Sequence, residues 1–511
     1  MDFKNSIYYK VGKASDLSGK DRVIYRFFEI LPGLLAWLTI GGIFFFSFYK
    51  PFYCAVFIIL FDIYWILKVF YLSMYLRQNW KKTKHNMSVD WKDKLANLKY
   101  DRIYHMVILP FYHESWEVVK DSLDSLFHSE YDKQKFIIVI AGEEKNKIHC
   151  LEVIEKVQKE FSGKFGYLFC TLHPENIPGE MPGKGSNISY AAEEARKEVL
   201  NKNNIKYEDT LVSAFDIDTV AYPQYFECLT WNFLTTEDPF KSSFQPVPVF
   251  NNNIWQSPAL SRVVAFSATF WQMIQQERVD RLVTFSSHSV CFKTLYEADY
   301  WQKNMVSEDS RIFWNSYLAH NGDYKVVPLC FPVSMDANLA PTFWQTAKNV
   351  YKQQRRWAYG VENGPYALMG FLKNEKIPRA KKWKFSFILL EGFWSLSTNP
   401  IIIFFLGWLP VVLGGREFNR TVLSYNLPFI TKILMTISMM GIFLCVTISM
   451  GFIPKAPEGS GKLNKLAMII QWIMIPVTVI LFGAIPGLDA QTRLMFGKYM
   501  GFWVTPKHRK Q

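Results

Sequence analysis

The segment Leu211-Val-Ser-Ala-Phe-Asp-Ile-Asp-Thr219 begins as an apolar run of β-strand character and ends in two carboxylates, Asp216 and Asp218. Residues two apart on an extended strand point to the same face, so these acids are expected side by side where a strand ends. Neighbouring carboxylates repel each other unless a cation lies between them, and hard cations such as Mg²⁺ or Mn²⁺ prefer carboxylate oxygens. The segment therefore indicates either a metal site at the edge of a sheet or a strand that continues into an acidic, solvated turn.

Short apolar runs alternate with amphipathic stretches on both sides of this segment, and no long apolar span lies between about residues 100 and 371. Buried strands are predicted at Arg102–Leu109, Phe136–Ala141 and Leu211–Phe215, and amphipathic helices at Glu117–His128 and Ser186–Leu200. This alternation predicts an α/β domain with a mainly parallel sheet. Such sheets bind ligands beyond the carboxyl ends of their strands, so the polar residues that follow each strand are candidates for a site.

The composition of the 511-residue chain indicates a mixture of soluble and membrane-embedded parts. Half of the residues are hydrophobic, 17% are aromatic and the mean hydropathy is 0.00, which is high for a soluble enzyme and low for a pure membrane bundle. Lysine and arginine exceed aspartate and glutamate by 58 to 45. Because the basic residues flank apolar spans, anionic lipid rather than nucleic acid is the expected partner. The seven scattered cysteines and nine histidines form no CxxC or HExxH pattern, so neither a disulfide framework nor a zinc site is predicted.

Two apolar runs near the N-terminus predict a transmembrane hairpin. Leu31–Tyr49 and Phe52–Tyr75 are each long enough to cross about 30 Å of hydrocarbon, and Lys50-Pro51 forms a tight turn between them. Asp62 is a lone acid within the second run, and it is either a functional site or a group that reaches the membrane interface. Cationic residues before the first run and after the second predict that both ends of the hairpin face the cytoplasm.

Further apolar runs predict a second membrane region near the C-terminal end. They are Phe385–Leu413, which is interrupted at Asn399-Pro400, Ile430–Ile453 and Leu466–Ile485. The first run is either one kinked crossing or a re-entrant segment, because two full crossings need about 20 residues each. The predicted domains are an N-terminal cytoplasmic segment (1–29), a transmembrane helical hairpin (30–76), an α/β domain with interfacial helices (95–373), a C-terminal transmembrane region (380–488) and a basic tail (489–511).

Acidic residues follow the first two predicted strands. Glu114 lies after the first strand, and Glu143 and Glu144 lie after the second. Glu143 and Glu144 either accept hydrogen bonds from a nucleotide base or ribose, or belong to a solvated loop. The alternative for Glu114 is a strand-to-helix turn in which Glu114 or Ser115 caps the following helix.

A lysine between two glycines precedes the next predicted helix, in Pro182-Gly-Lys-Gly-Ser-Asn187. Such a lysine, here Lys184, can approach a diphosphate closely, and a helix N-terminus favours anions. The segment is not a Walker A loop, because Gly179 is one residue short of the G-x-x-x-x-G-K spacing and Gly185 replaces the hydroxyl residue that holds Mg²⁺. A P-loop ATPase is therefore a poor fit.

An acidic pair opens a predicted helix at Ser310–Ala319, in Ser307-Glu308-Asp309-Ser310. Ser307 is a candidate N-cap, and acids in the first turn are favoured by the helix dipole. A carboxylate held there is alternatively a general base that takes the proton of a hydroxyl group.

A second motif, Gln353-Gln-Arg-Arg-Trp357, lies on a predicted helix from about Phe343 to Tyr366. Gln353, Arg356 and Trp357 lie on one face of that helix. A guanidinium binds phosphate, and an indole offers a flat apolar face to a sugar ring or a cation. The alternative is an interfacial amphipathic helix, since Trp and Arg both favour the membrane boundary.

D-x-D, an E-D pair and Q-x-x-R-W occur in this order and between membrane spans. This combination resembles the membrane-embedded processive glycosyltransferases of family 2, the group that includes cellulose, chitin and hyaluronan synthases. The resemblance covers roughly residues 100–360 and the flanking membrane architecture. It implies a GT-A (Rossmann-like) α/β domain, facing the cytoplasm and inserted between N- and C-terminal transmembrane helices of a multi-pass protein of the plasma (inner) membrane. The implied reaction is inverting transfer of a sugar from a UDP- or GDP-linked donor to a growing glycan or a lipid-linked acceptor.

The resemblance also implies roles for individual residues. Asp216 and Asp218 would hold Mg²⁺ or Mn²⁺ and the nucleotide diphosphate, with Lys184 beside the phosphates. Asp309 would deprotonate the acceptor hydroxyl as the base of the catalytic pair that it forms with Glu308. The remaining implied site residues are Glu114, Glu143 and Glu144 on the donor side, and Gln353, Arg356 and Trp357 beside the acceptor end and the diphosphate.

The sequence departs from the family pattern in two places. The usual T-E-D reads Ser307-Glu308-Asp309, which keeps the acid, and the usual Asp-Asp-Gly reads Gly142-Glu143-Glu144, which leaves the contact to the nucleotide base open. In addition, the run Pro486-Gly-Leu-Asp-Ala-Gln-Thr-Arg493 matches no chemistry from first principles.

Two other functions fit parts of the same pattern. A non-processive glycosyltransferase that adds a single sugar to a membrane lipid carrier shares the donor site but needs no polymer path, and Q-x-x-R-W weighs against it. A transporter or receptor whose α/β domain only binds nucleotide-sugars predicts donor binding without turnover.

Overall fold

The computed structural model describes residues 3–439, 441–456 and 462–509. An eight-stranded mixed sheet lies at the centre of the α/β domain, in the order β3-β2-β1-β4-β7-β6-β8-β5. Its strands are β1 (Tyr104–Pro110), β2 (Phe136–Glu143), β3 (Tyr167–His173), β4 (Thr210–Ala214), β5 (Val220–Ala221), β6 (Ser242–Phe250), β7 (Ser289–Cys291) and β8 (Lys325–Met335). The half formed by β3, β2, β1 and β4 is parallel, as predicted. In the other half β7 runs antiparallel to β4 and β6, β5 runs antiparallel to β8, and β6 and β8 are parallel.

Helices surround the sheet and also precede and follow the α/β domain along the chain. The N-terminal helices are α1 (Gly19–Tyr49) and α2 (Pro51–Ser88). The helices of the α/β domain are α3 (Trp91–Leu95), α4 (Trp116–Phe127), α5 (Lys147–Phe161), α6 (Lys184–Ala195), α7 (Tyr225–Thr235), α8 (Ala259–Gln276), α9 (Phe292–Glu297), α10 (Glu308–Ala319), α11 (Phe343–Ala358) and α12 (Asn363–Lys373). The C-terminal helices are α13 (Arg379–Phe404), α14 (Leu409–Leu413), α15 (Gly415–Asn419), α16 (Val422–Met439), α17 (Gly441–Phe452), α18 (Lys462–Ile470), α19 (Ile475–Val479) and α20 (Ile485–Met495). The predicted fold class, a GT-A-type α/β domain between N- and C-terminal apolar helices, is confirmed.

The strands that carry the predicted site are apolar on both faces. Val107 of β1 lies in a buried cluster with residues of α4 and α5, and Met106 lies in a second cluster with residues of α6 on the opposite face. Each fully buried aliphatic side chain contributes roughly 1.5–3 kcal/mol, so the two clusters hold the sheet between its helices. Because Pro110 pairs with Ala141 and Ile108 pairs with Ala214, the carboxyl ends of β1, β2 and β4 meet at one edge.

Four helical stretches of the described residues are long and apolar enough to cross a membrane, namely Gly19–Tyr49, Pro51–Ser88, Arg379–Phe404 and Leu466–Met495. Large apolar side chains on them are exposed, for example Phe48 at 71% and Phe70 at 69%, and such a surface suits a lipid environment. The predicted hairpin is confirmed, because α1 ends at Tyr49 and α2 begins at Pro51. Both helices extend beyond the predicted limits of residues 30–76, and the domain limits as a whole remain a prediction.

The predicted interruption at Asn399-Pro400 is wrong, because α13 continues to Phe404. Polar side chains in this stretch satisfy one another, and Asn399 Nδ2 donates to Ser395 Oγ at 2.6 Å. Prolines are tolerated in membrane helices where neighbouring helices and polar side chains satisfy the freed backbone groups. The predicted span Ile430–Ile453 falls on α16 and α17, and residue 440 between them lies outside the described residues.

The predicted continuous helix from Phe343 to Tyr366 is also wrong. α11 ends at Ala358, a 3₁₀ turn follows at Tyr359–Glu362, and α12 then begins. The turn brings the carboxylate of Glu362 to the backbone N–H groups that precede α10, and this contact would be lost in a straight helix.

Candidate active site

The paired aspartates lie where β4 leaves the sheet. Asp216 accepts hydrogen bonds from Lys184 Nζ at 2.6 Å and from Ser286 Oγ at 2.8 Å. Asp218 is fully buried, and its Oδ2 accepts a hydrogen bond from the backbone N–H of Asp336 at 2.9 Å. Its Oδ1 is buried and has no partner among the described residues. The edge of the sheet therefore holds a carboxylate whose hydrogen-bonding capacity is only partly used.

Lys184 connects two of the predicted motifs. It is the first residue of α6, and its Nζ lies 2.6 Å from Asp216 Oδ1 and 3.0 and 3.1 Å from the two carboxylate oxygens of Asp309. Burial disfavours the charged lysine, but the two carboxylates outweigh it and raise the pKa of Lys184 above its usual value. We call Lys184, Asp216, Asp218 and Asp309 the central cluster. The structure brings these four predicted residues together from segments that are up to 125 positions apart.

The acidic pair at the start of α10 has two different environments. Glu308 is buried, and burial together with the neighbouring Asp309 raises the pKa of Glu308 to about 8. The protonated form of Glu308 is therefore favoured, whereas Asp309 faces the ammonium group of Lys184. Ser307 occupies the N-cap position without a capping hydrogen bond from its side chain, and its hydroxyl donates to Glu362 at 2.8 Å instead.

His288 is a neighbour of Asp309 that the sequence motifs do not indicate. Its Nδ1 lies 3.7 Å from Asp309 Oδ1 and 2.9 Å from the carbonyl oxygen of Phe285, and Trp301 Nε1 donates to its Nε2 at 3.0 Å. An Nε2 that accepts this bond places the single proton of a neutral ring on Nδ1. Burial lowers the pKa of His288, which keeps the ring neutral.

The Q-x-x-R-W residues lie beside the central cluster on α11. Gln353 is buried, and Gln353 and Trp357 line a small cavity together with Asp336. The guanidinium of Arg356 lies 4.8 Å from the ring centroid of Phe502, over its face. Gln353 and Trp357 therefore reach the cluster through Asp336, whereas Arg356 packs on the C-terminal tail.

Glu114, Glu143 and Glu144 are at the same edge of the sheet but outside the central cluster. Glu114 accepts hydrogen bonds from the two preceding backbone N–H groups at 2.7 and 3.1 Å, so it closes the turn after β1. Ser115 occupies the N-cap position of α4 without a capping bond from its side chain. Burial raises the pKa of Glu143, whereas Glu144 is exposed and its carboxylate lies 3.7 Å from the ammonium of Lys147. In the described part of the chain, no hydrogen bond or ion pair joins these three acids to the cluster.

The C-terminal tail supplies cations that sequence reasoning missed. Lys507 Nζ lies 2.5 Å from Asp218 Oδ2, and Arg509 binds both carboxylate oxygens of Asp336 at 3.0 and 3.1 Å. Burial raises the pKa of Asp218, and Lys507 offsets this effect only in part. Asp336 directly follows β8, so the rule of polar residues after strands could have found it. For Lys507 and Arg509 we find no comparable local signal.

The tail can approach the central cluster closely because Gly183, at the start of α6, has no side chain. A Cβ atom at Gly183 would lie 2.6 Å from Cγ of Phe502, which is closer than any real contact of this kind. Phe502 and Met500 pack against a buried cluster that contains Val306 and Tyr359. The tail therefore packs between the start of α6 and the 3₁₀ turn after α11.

The carboxylates at this edge fit a hard divalent cation. Asp218 has an unpartnered buried oxygen, and Asp216 and Asp336 add negative charge beside it. Within residues 3–439, 441–456 and 462–509, no group of three or more His, Cys, Asp or Glu side chains converges on one point. Mg²⁺ is commonly held by one or two carboxylates together with substrate phosphates, and Asp216 and Asp218 are the residues that would hold it here.

No family model matches the chain. In sequence it is similar to the poly-β-1,6-N-acetyl-D-glucosamine synthase of Staphylococcus epidermidis, with 22% identity over 335 residues that cover 64% of this chain and 70% of that protein. The chain is a glycosyltransferase. The predicted resemblance to membrane-embedded family 2 glycosyltransferases is confirmed, and the four apolar helices make this glycosyltransferase a membrane protein.

Solved structures similar to this glycosyltransferase include the mannosyltransferase PcManGT from Pyrobaculum calidifontis in complex with GDP-Man and Mn²⁺. The two chains are 12% identical with a TM-score of 0.41, and the match covers 86% of this chain and 99% of that chain. Another is S. aureus TarS 1–349 in complex with UDP-GlcNAc, with 14% identity, a TM-score of 0.36, and coverage of 68% and 91%.

Proposed function

We propose that this glycosyltransferase transfers a sugar from a UDP- or GDP-linked donor to a growing glycan at the cytoplasmic face of the membrane, with inversion at the anomeric carbon. The observation that carries the proposal is the position of Lys184, whose ammonium contacts Asp216 at 2.6 Å and Asp309 at 3.0 Å. A diphosphate held beside Asp216 and Asp218 would therefore have its sugar close to Asp309. The name of the S. epidermidis relative, a polysaccharide synthase, supports a glycan as the product.

In the proposed mechanism, Asp309 accepts the proton of the acceptor hydroxyl as its oxygen attacks the anomeric carbon. The bond between that carbon and the diphosphate oxygen breaks, and the nucleoside diphosphate leaves with the electron pair. Lys184 and Arg356 stabilise the negative charge that builds up on the leaving group. Mg²⁺ or Mn²⁺ bound to Asp216 and Asp218 would neutralise further charge on the diphosphate. A single displacement of this kind inverts the anomeric centre.

The acceptor is proposed to approach from the membrane side of the site. Trp357 offers an indole face on which a sugar ring can pack, and it lines a cavity with Gln353 next to Asp336. The C-terminal spans would provide the path for a growing polymer. Glu114, Glu143 and Glu144 remain proposed donor contacts, which would require the donor to extend along the carboxyl edge from β4 towards β2.

The proposal is tested by incubating membranes that contain the full chain with radiolabelled nucleotide-sugars and Mg²⁺ or Mn²⁺, and by sizing the products. We expect Asp309→Asn to keep donor binding and to lower transfer by at least about 100-fold, which is the usual contribution of a general base. We expect Asp218→Ala to lose the metal-dependent part of donor binding. The matched control is Glu152→Gln, which neutralises an exposed acid on α5 and should leave transfer unchanged. Full transfer by both site variants would contradict the assignment of the central cluster.

The second candidate function is addition of a single sugar to a membrane lipid carrier. It uses the same donor cluster, and the product sizes separate the two functions. A ladder of long products supports the polymer, whereas one lipid-soluble product of fixed size supports the lipid carrier.

A further inference from the structure

The run Pro486–Arg493, to which the sequence assigns no chemistry, lies on α20 and is packed tightly against the membrane helices. A Cβ atom at Gly487 would lie 3.0 Å from Ser397 Oγ of α13, so the two helices approach closely at this glycine. Gln491 Nε2 donates to Ser397 Oγ at 2.7 Å. Arg26 of α1 donates to the backbone carbonyl groups at the C-terminal end of α20. Because α1 and α13 both hold it, α20 is a fixed element of the bundle.

The other side of α20 binds the helix that carries the Q-x-x-R-W motif. Asp489 Oδ2 accepts hydrogen bonds from Arg355 Nη1 at 2.9 Å and from the hydroxyl of Tyr351 at 3.2 Å, and both donors lie on α11. Asp489 Oδ1 accepts from Arg493 Nε at 2.8 Å within α20 itself. A single carboxylate therefore joins two successive turns of α11 to the membrane bundle.

The residues that Asp489 binds lie on the opposite side of α11 from Gln353 and Trp357. Tyr351 and Arg355 each precede a proposed site residue, Gln353 or Trp357, by two positions. With 3.6 residues per turn, positions two apart on a helix point in nearly opposite directions. A carboxylate that fixes one side of α11 thus determines how far the other side projects into the site.

We propose that Asp489 is a positioning residue for sugar transfer. By binding Arg355 and Tyr351, it sets the position of Gln353, Arg356 and Trp357 relative to the central cluster. This inference rests on the proposed function for the roles of the three motif residues. The charge of Asp489 matters because hydrogen bonds between ionised partners are about twice as strong as neutral ones. A displacement of about 1 Å at a reacting centre can lower a rate roughly 100-fold.

The test compares Asp489→Asn with Arg493→Gln in the full chain, in membranes or detergent. Asp489→Asn removes the charge that binds α11, whereas Arg493→Gln removes only the ion pair within α20, so it is the matched control. We expect Asp489→Asn to lower kcat about 10- to 100-fold while the donor KM changes by less than about threefold, because donor contacts are made elsewhere. Asp489→Glu, which keeps the charge, should restore at least a third of the lost rate.

A second measurement is independent of turnover. Hydrogen–deuterium exchange of peptides from Phe343–Ala358 should become at least about tenfold faster in Asp489→Asn and stay unchanged in Arg493→Gln, since tenfold corresponds to loss of about 1.4 kcal/mol of local stability. Unchanged exchange of α11 in Asp489→Asn would overturn the positioning role, whatever the activity. If the unmodified chain transferred no sugar but Asp489→Asn loosened α11, the proposed function would fail while the contact itself would stand. Equal loss of kcat in Asp489→Asn and Arg493→Gln would indicate general damage to α20 and would also overturn the proposal.

Discussion

Among the individual residues, Glu308 offers a direct pH test of the site. Burial and the neighbouring Asp309 raise the pKa of Glu308 to about 8 in the folded chain, whereas an unperturbed glutamate titrates near about 4.3. The folded state therefore binds this proton more tightly than the unfolded state does. The contribution of the bound proton to the stability of the fold is complete below the unfolded pKa and is lost as the pH rises through about 8. We expect Glu308→Gln, which cannot ionise, to gain stability relative to the unmodified chain as the pH is raised over this range.

The measurement is thermal unfolding of both detergent-solubilised proteins at a series of pH values. An exposed substitution, Glu152→Gln, serves as the control and should show no such pH-dependent difference. Parallel stability curves for Glu308→Gln and the unmodified chain would show that Glu308 is ionised at neutral pH in the folded state.

At the scale of the elements, the sheet shows where pattern-based prediction succeeds and where it does not. β1, β2 and β4 are continuous apolar runs, and their predicted ends agree with the structure to within two residues. β6 contains Pro246 and Pro248, and prolines argue against an internal strand because they cannot donate to the ladder. The sheet accommodates them next to an irregularity in register between Gln245 and Val247, which only the pairing with β8 reveals.

The contact between the tail and α6 gives a prediction at the same scale. Gly183→Ala places a methyl group within 2.6 Å of the Phe502 ring, so we expect it to displace the tail. Gly501→Ala adds the same methyl group within the tail, at a position with no atom within 4 Å, and should have no effect. Limited trypsin digestion measures the difference, because a displaced tail exposes the peptide bond after Lys507. Equal cleavage rates in the two variants would contradict the close packing of the tail on Gly183.

For the whole molecule, the main open prediction is the orientation of the membrane helices. The basic flanks of the α1–α2 hairpin predict that its turn lies outside and that the α/β domain faces the cytoplasm. We expect Lys50→Cys, in that turn, to react with a membrane-impermeant maleimide added to intact cells. Lys99→Cys, an exposed position before β1, should react only after the membrane is opened. The reverse labelling pattern would place the α/β domain outside and would exclude a cytoplasmic donor.

Elements with local causes can be predicted from the amino-acid sequence alone. The apolar run before Asp216 makes a strand, the spacing of Gln353, Arg356 and Trp357 makes one helix face, and the long apolar runs make membrane helices. Periodicity and steric preference act over a few neighbouring residues, so these features can be inferred without knowing the fold.

Which of these residues contact one another depends on the packing of the whole chain. Lys184 and Asp309 are separated by 125 positions, Arg355 and Asp489 by 134, and Asp218 and Lys507 by 289. No local pattern encodes such contacts, because they depend on how the sheet, the membrane helices and the tail pack together. The same packing sets the dielectric environment of each acid, so the proton on Glu308 is likewise a property of the folded molecule.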